Sequence, residues 1–126
     1  MQLQFTVPGR PVPAVRTTQR QKFVDPRYAK YRDYKDYFAM LAQHELNKHR
    51  LASFSKDEPI VFNAKVYLYS KRRVDVDNLL KSFFDASNRI LWHDDSQVVK
   101  ASVEKIFVSK KDEERVEISM SLLNYH

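Results

Sequence analysis

The chain opens on a period of two. Leu3, Phe5 and Val7 alternate with polar residues, which predicts a half-buried first strand. Pro8-Gly9-Arg10-Pro11-Val12-Pro13 then forbids regular structure, and a long polar loop is expected from residue 8 to about 26. From Pro26 the spacing turns helical. Tyr31, Phe38, Leu41, Ala42 and Leu46 share one face, with Pro26 in the first turn and Asp25 as the cap. Period two returns over residues 60–69, where Phe62, Ala64, Val66 and Leu68 point one way and Asn63, Lys65, Tyr67 and Tyr69 the other.

A turn from Ser70 to Arg73 leads into a second helix, about Asp77 to Leu91. Its apolar positions, Leu79, Leu80, Phe83, Phe84, Ala86 and Ile90, cover more than one stripe and predict a central, buried element. A strand from Gln97 to Val108 follows. Its inward phase shifts between Val99/Ala101/Val103 and Ile106/Val108, which predicts a bulge near Glu104. Beyond the charged turn Lys110 to Glu114, Val116, Ile118, Met120 and Leu122 alternate in a last strand, expected to form an antiparallel hairpin with its predecessor. The expected fold class is α+β: a single small domain over residues 1–126, with a mixed β-sheet packed against two main helices.

Composition narrows the function classes. A chain of 126 residues, 43% hydrophobic, suits one compact domain with a modest core. No apolar run approaches a membrane span and no signal-peptide pattern opens the chain, so a cytoplasmic protein without membrane contact is expected. The absence of cysteine excludes disulfides, thiolate zinc sites and cysteine nucleophiles. A single glycine, Gly9, excludes glycine-rich phosphate loops. The net charge of +6 is unevenly placed: residues 1–35 hold eight Lys/Arg against two acids, and the remaining 91 residues balance at 14 and 14. This basic N-terminal arm, with Arg10, Arg16 and Arg20, is a candidate for holding phosphates; its alternative is a solvated loop.

The acidic residues that stand out are Asp75, Asp77, Asp94 and Asp95, with Lys81 between the pairs. Gathered together, four carboxylates would make an all-oxygen pocket for a hard cation such as Mg²⁺. Asp77, Lys81 and Asp85 fall one helical turn apart and form a polar stripe. The helix alone keeps the two acidic pairs about 22 Å apart, so their meeting requires the strand after Gln97 to run back beside the strand that ends near Arg73. Each feature also has a plainer reading: Asp-Asn as a helix cap, the stripe as ordinary ion pairing, and Asp94-Asp95-Ser96 as a polar turn. His93 is a further possible ligand by position alone.

The run Arg72-Arg73-Val74-Asp75-Val76-Asp77-Asn78-Leu79-Leu80-Lys81, then Phe83-Phe84-Asp85-Ala86, then Trp92 with Asp94-Asp95-Ser96-Gln97-Val98-Val99, resembles the RusA family of Holliday-junction resolvases. The opening Phe5-Thr6-Val7-Pro8-Gly9-Arg10-Pro11-Val12-Pro13-Ala14 resembles that family's N-terminal segment. The resemblance implies a RusA-like fold and a homodimeric endonuclease that uses Mg²⁺, with Mn²⁺ as a substitute. It would place paired symmetric nicks in four-way DNA junctions during recombination and repair, in a bacterial or phage setting near the nucleoid. Asp75, Asp77 and Asp95 would be the essential carboxylates, with Asp94 beside them as a further metal ligand. Lys81 would be the essential lysine, and Arg72 and Arg73 DNA contacts. A junction-binding accessory protein without catalysis is the alternative, and a small domain with a structural cation is a third reading.

Overall fold

The computed structural model describes residues 2–16, 25–70 and 73–123. The elements run β1 (Gln2–Pro8), α1 (Pro26–Lys48), β2 (Ile60–Leu68), α2 (Val76–Ser87), β3 (Val98–Phe107) and β4 (Arg115–Leu122). Short 3₁₀ turns precede β3 at Asp95–Gln97 and β4 at Lys111–Glu113. The four strands form one mixed sheet in the order β1-β4-β2-β3. β4 is antiparallel to both β1 and β2, and β3 is parallel to β2.

Strand periodicity decides which face is buried. Leu3, Phe5 and Val7 of β1, Phe62, Ala64, Val66 and Leu68 of β2, and Val116, Ile118 and Met120 of β4 all point under the helices. The α1 residues Tyr31, Tyr34, Phe38, Ala42 and Leu46 complete this core, and Leu41 packs at its margin. Phe38 stands edge-on to Phe5 at 5.4 Å and stacks on Phe83 of α2 at 5.8 Å, which fixes the two helices side by side over the sheet. Trp92 is buried with its ring edge-on to Phe62 and Phe84. As expected, α1 starts at Pro26, and Asp25 caps it by accepting from the Arg27 N–H at 2.9 Å. The other sheet face is polar: Arg115 lies over the Tyr67 ring at 3.8 Å and both bond Glu117.

Three sequence expectations are corrected. β3 and β4 are not a hairpin; they flank β2 on opposite sides, and the chain between them passes the end of β2, where Val108 N–H donates to Leu68 O at 2.9 Å. The reason is that β4 alternates cleanly and suits a central position, whereas β3, with Lys100, Glu104 and Lys105, suits an edge. The register shift lies at Ile60/Val61, opposite Val98 to Lys100, rather than near Glu104. The apparent phase change in β3 arises because Ile106 shares the polar face with Tyr67, while Ala101, Val103, Lys105 and Phe107 lie on the helix side. Finally, α2 ends at Ser87, and Asn88 to Leu91 form a turn in which Arg89 takes a positive φ of 69°.

Candidate active site

α2 is the element that presents the first acidic pair. Asp75 occupies its N-cap position with extended backbone (φ −77°, ψ 128°), yet its side chain makes no capping hydrogen bond. Its carboxylate is 58% exposed, with Arg73 Nε at 3.7 Å. Asp77 lies in the first turn, where the partial positive charge of unpaired N–H groups favours a carboxylate. Lys81 is exposed one turn further on. Asp85 is put to other use: it accepts from the Tyr31 hydroxyl of α1, so the polar stripe ends in a tie between helices. Burial, and then the nearby Asp85 carboxylate, push Tyr31 above the ordinary tyrosine range.

Beside Asp75 lies a groove of about 390 Å³ lined by Arg10, Val12, Arg27, Lys30, Arg73 and Val74, among others. The Ala14 N–H donates to Asn78 O at 2.9 Å, which pins the loop after β1 across the start of α2. Of the predicted DNA-binding arginines, Arg73 is almost fully exposed and Arg16 is exposed at the margin of this loop. Arg10 lines the groove and is also held by buried Glu114 at 2.8 Å, so its charge serves the fold as well. Arg20 and Arg72 lie outside the described residues. Lys30 and Arg27 also line the groove, though no motif marks them. The signal was available, since they are three apart at the start of α1 and so share a face. Arg27 is tied to Asp25 by paired contacts, while Lys30 stands exposed at the groove.

The second acidic pair sits elsewhere. Asp94 caps the turn Asp95–Gln97, accepting from the Ser96 N–H and hydroxyl, while Gln97 Oε1 accepts from the His93 and Asp94 N–H groups. The Ser96 side-chain hydrogen bond holds the Asp94 carboxyl below its ordinary pKa. Asp95 accepts from Trp92 Nε1 at 3.1 Å. Gln97 is nearly buried and anchors the turn to Ser55 O and Glu58 O, at the N-terminal end of β2. Asp75 is at the opposite end, because Lys105 Nζ donates to Val74 O at 3.0 Å near the C-terminal end of β3. The seven steps of strand from Val98 to Lys105 correspond to roughly 23 Å.

The expected meeting of the two pairs therefore does not occur within the chain. β3 does run beside β2, but parallel to it, so it starts at the far end. Among the described residues, no three His, Cys, Asp or Glu side chains converge closely enough to hold a metal ion. The chain thus carries Asp75, Asp77 and Lys81 along the first turns of α2, directly after the groove residues Arg73 and Val74, and keeps Asp94 and Asp95 apart. A second concavity, on the polar sheet face around Gln4, Asn63, Lys65 and Glu117, includes none of the predicted residues.

Comparison with known proteins assigns the family. An uncharacterized protein, YqaN, of Bacillus subtilis (strain 168) is 30% identical, with 92% of this chain and 93% of that protein aligned. Residues 8–121 match the family described as endodeoxyribonuclease RusA, a span holding both acidic pairs, Lys81 and the groove. The chain belongs to the RusA family of endodeoxyribonucleases.

Proposed function

We propose that this protein is a structure-specific DNA endonuclease that resolves four-way junctions by paired, symmetric nicks. It would act as a homodimer in recombination and repair in the bacterial or phage-infected cytoplasm, with Mg²⁺ as cofactor and Mn²⁺ as a substitute. The observation that carries this reading is the position of Asp75 and Asp77 at the start of α2, directly after the cationic-groove residues Arg73 and Val74, in a chain of endodeoxyribonuclease family. Arg73 and Lys30 hold backbone phosphates, contacts that position a duplex without reading its bases. Lys81 opposes the charge that develops on the phosphate oxygens during hydrolysis. Asp75 is available for this chemistry because no capping bond occupies its carboxylate. Among the described residues, no three carboxylates of one chain converge closely enough to hold that cation.

The test is a synthetic four-way junction with labelled strands, incubated with and without Mg²⁺ beside a linear duplex. Paired nicks confined to the junction, lost in EDTA and in Asp77→Asn, are the expected result. Tight junction binding with no cleavage under Mg²⁺ or Mn²⁺ would assign the accessory-protein reading instead. Equal cutting of duplex and junction would refute structure specificity.

A further inference from the structure

The cationic groove before α2 has a lining that phosphate does not need. Pro11, Val12, Pro13, Val15 and Val74 line it, and all but Pro11 are only half-buried, so apolar surface faces its open space. Val12 and Val74 also pack on the core, which holds that lining in place. The Ala14 N–H bond to Asn78 O fixes the loop that carries the rest. Backbone phosphates are met by donors and positive charge, not by the hydrocarbon of valine and proline. A groove of about 390 Å³ that combines an apolar lining with a few charged groups has the form of a site for a small organic group.

The charged residues of the groove set the sign of its ligand. Arg10, Arg27, Lys30 and Arg73 line it and, among the described residues, no acid does. Two of these cations are already committed, Arg10 to Glu114 at 2.8 Å and Arg27 to Asp25 at 2.8 Å. Arg73 stands 94% exposed with only a 3.7 Å approach to Asp75, and Lys30 is exposed, so these two are left for phosphate. The Arg27 guanidinium, held on Asp25 through both Nε and Nη2, is a fixed plane on which a flat ring can stack. A flat, weakly polar ring flanked by two phosphates is one nucleotide of a strand.

We propose that this groove takes a single unpaired nucleobase of branched DNA, with Lys30 and Arg73 on the phosphates to either side. The inference deepens the nuclease reading and rests on it. In a continuous duplex every base is stacked and paired, so filling the groove costs the unstacking of a base. Where pairing is already broken, that cost is smallest. The groove therefore favours DNA with a loosened base over plain duplex, which is a physical basis for structure specificity. Arg73 and Val74 directly precede Asp75, so the strand that enters the groove is the one presented to the acidic head of α2.

The test follows the valine methyl groups of the full chain by carbon–proton NMR, in EDTA so that no cleavage occurs. The probes are deoxyadenosine monophosphate, deoxyribose 5-phosphate, a four-way junction and a linear duplex. A purine seated on the apolar lining shifts the methyl resonances of Val12, Val15 and Val74 through its ring current, whereas a phosphate without a base leaves them in place. Valine shifts are expected with the nucleotide and with the junction, and none with deoxyribose 5-phosphate or duplex. The nucleotide should bind about tenfold more tightly than deoxyribose 5-phosphate. Val15→Trp fills the groove and leaves Lys30 and Arg73 untouched. It should weaken junction binding about tenfold and narrow the gap between junction and duplex by the same factor. The salt slope, which counts phosphate contacts, should stay as it is.

A junction that binds while moving only lysine and arginine resonances overturns the inference and leaves the nuclease reading standing. Duplex that shifts the same valines as strongly as the junction overturns it too, since no unpaired base is then selected. Valine shifts with the free nucleotide but not with the junction would assign the groove to a diffusible nucleotide and overturn the DNA source. A folded Val15→Trp chain with unchanged junction affinity counts equally against it. Should that variant lose its fold in a urea titration, the wild-type measurements decide alone. A junction that is neither bound nor, with Mg²⁺ restored, cut overturns the nuclease reading first and the inference with it.

Discussion

Arg10→Ala asks whether an N-terminal arginine serves the fold or the nucleic acid. The Glu114 side chain is 6% exposed and that of Arg10 31% exposed, with 2.8 Å between Oε2 and Nη1. The same carboxylate oxygen accepts from the Tyr69 N–H at 3.2 Å, and the Glu114 carbonyl accepts from the Gly9 N–H at 2.9 Å. Three segments therefore meet at this residue: the end of β1, the end of β2 and the start of β4. Alanine at position 10 leaves a buried carboxylate with one neutral donor. A hydrogen bond to a charged group contributes about 1.5–3 kcal/mol, and breaking a fully buried pair costs about 3–5 kcal/mol. Partial exposure of Arg10 puts this pair at the lower end, about 2 kcal/mol. With a urea slope of roughly 2 kcal/mol/M, the unfolding midpoint should fall by about 1 M. Glu114→Gln keeps an acceptor for Tyr69 and lets Arg10 hydrate, so about half that loss is expected. Urea titrations of both single variants and the double variant should show coupling, because the second substitution removes a partner already lost. An Arg10→Ala midpoint shift of less than about 0.2 M, with the salt slope of junction binding lowered by about one, would place Arg10 on the nucleic acid rather than in the fold.

Other outcomes are equally direct. Phe38 is fully buried between Phe5 and Phe83, so Phe38→Ala should cost about 3–5 kcal/mol in the same urea assay; a loss under about 1 kcal/mol would mean the helices are not packed as described. Burial raises the ionisation of both Tyr31 and Tyr34 above the ordinary value of 10.0. Since the folded pKa is the raised one, their contribution is intact below the ordinary phenol range and is lost as pH rises beyond it. In an alkaline near-UV titration, Tyr31→Phe should leave the amplitude before unfolding unchanged; a smaller early amplitude would place Tyr31 in solvent. Arg73→Ala should weaken junction binding and reduce the slope of log K against log salt by about 0.9, without changing the urea midpoint; an unchanged slope would remove Arg73 from the DNA contacts.

Much of the fold was legible because burial follows period. Alternation in Leu3/Phe5/Val7, Phe62 to Leu68 and Val116 to Met120 located three strands and their inward faces, since a one-residue slip would put every apolar side chain into water. Asp25-Pro26 marked the start of α1 because a carboxylate cap and a residue lacking N–H both suit a first turn. The end of α2 was misplaced for a related reason: Ile90 and Leu91 continue the apolar pattern while belonging to a turn that packs on the same core. The groove position of Lys30 is not legible from charge counts, which do not show which cations share a groove. The ion pair of Arg10 is invisible to the same count, because its partner, Glu114, is 104 residues away.

The hairpin and the converging carboxylates failed from one cause, the direction of β3. Period two identifies a strand and its faces; it carries no information on which neighbour the strand joins or which way it runs. Length does carry some. β2 has nine residues, which rise roughly 26 Å, and α2 has twelve, which return about 18 Å. A helix of that length following a strand brings the chain back close to the strand's starting end, so the next strand in the sheet begins there and runs parallel. Asp75 at the head of the helix and Asp95 beyond its foot are separated by that same return. No adjustment of the Asn88 to His93 turn removes the separation while β3 remains paired with β2 in this register.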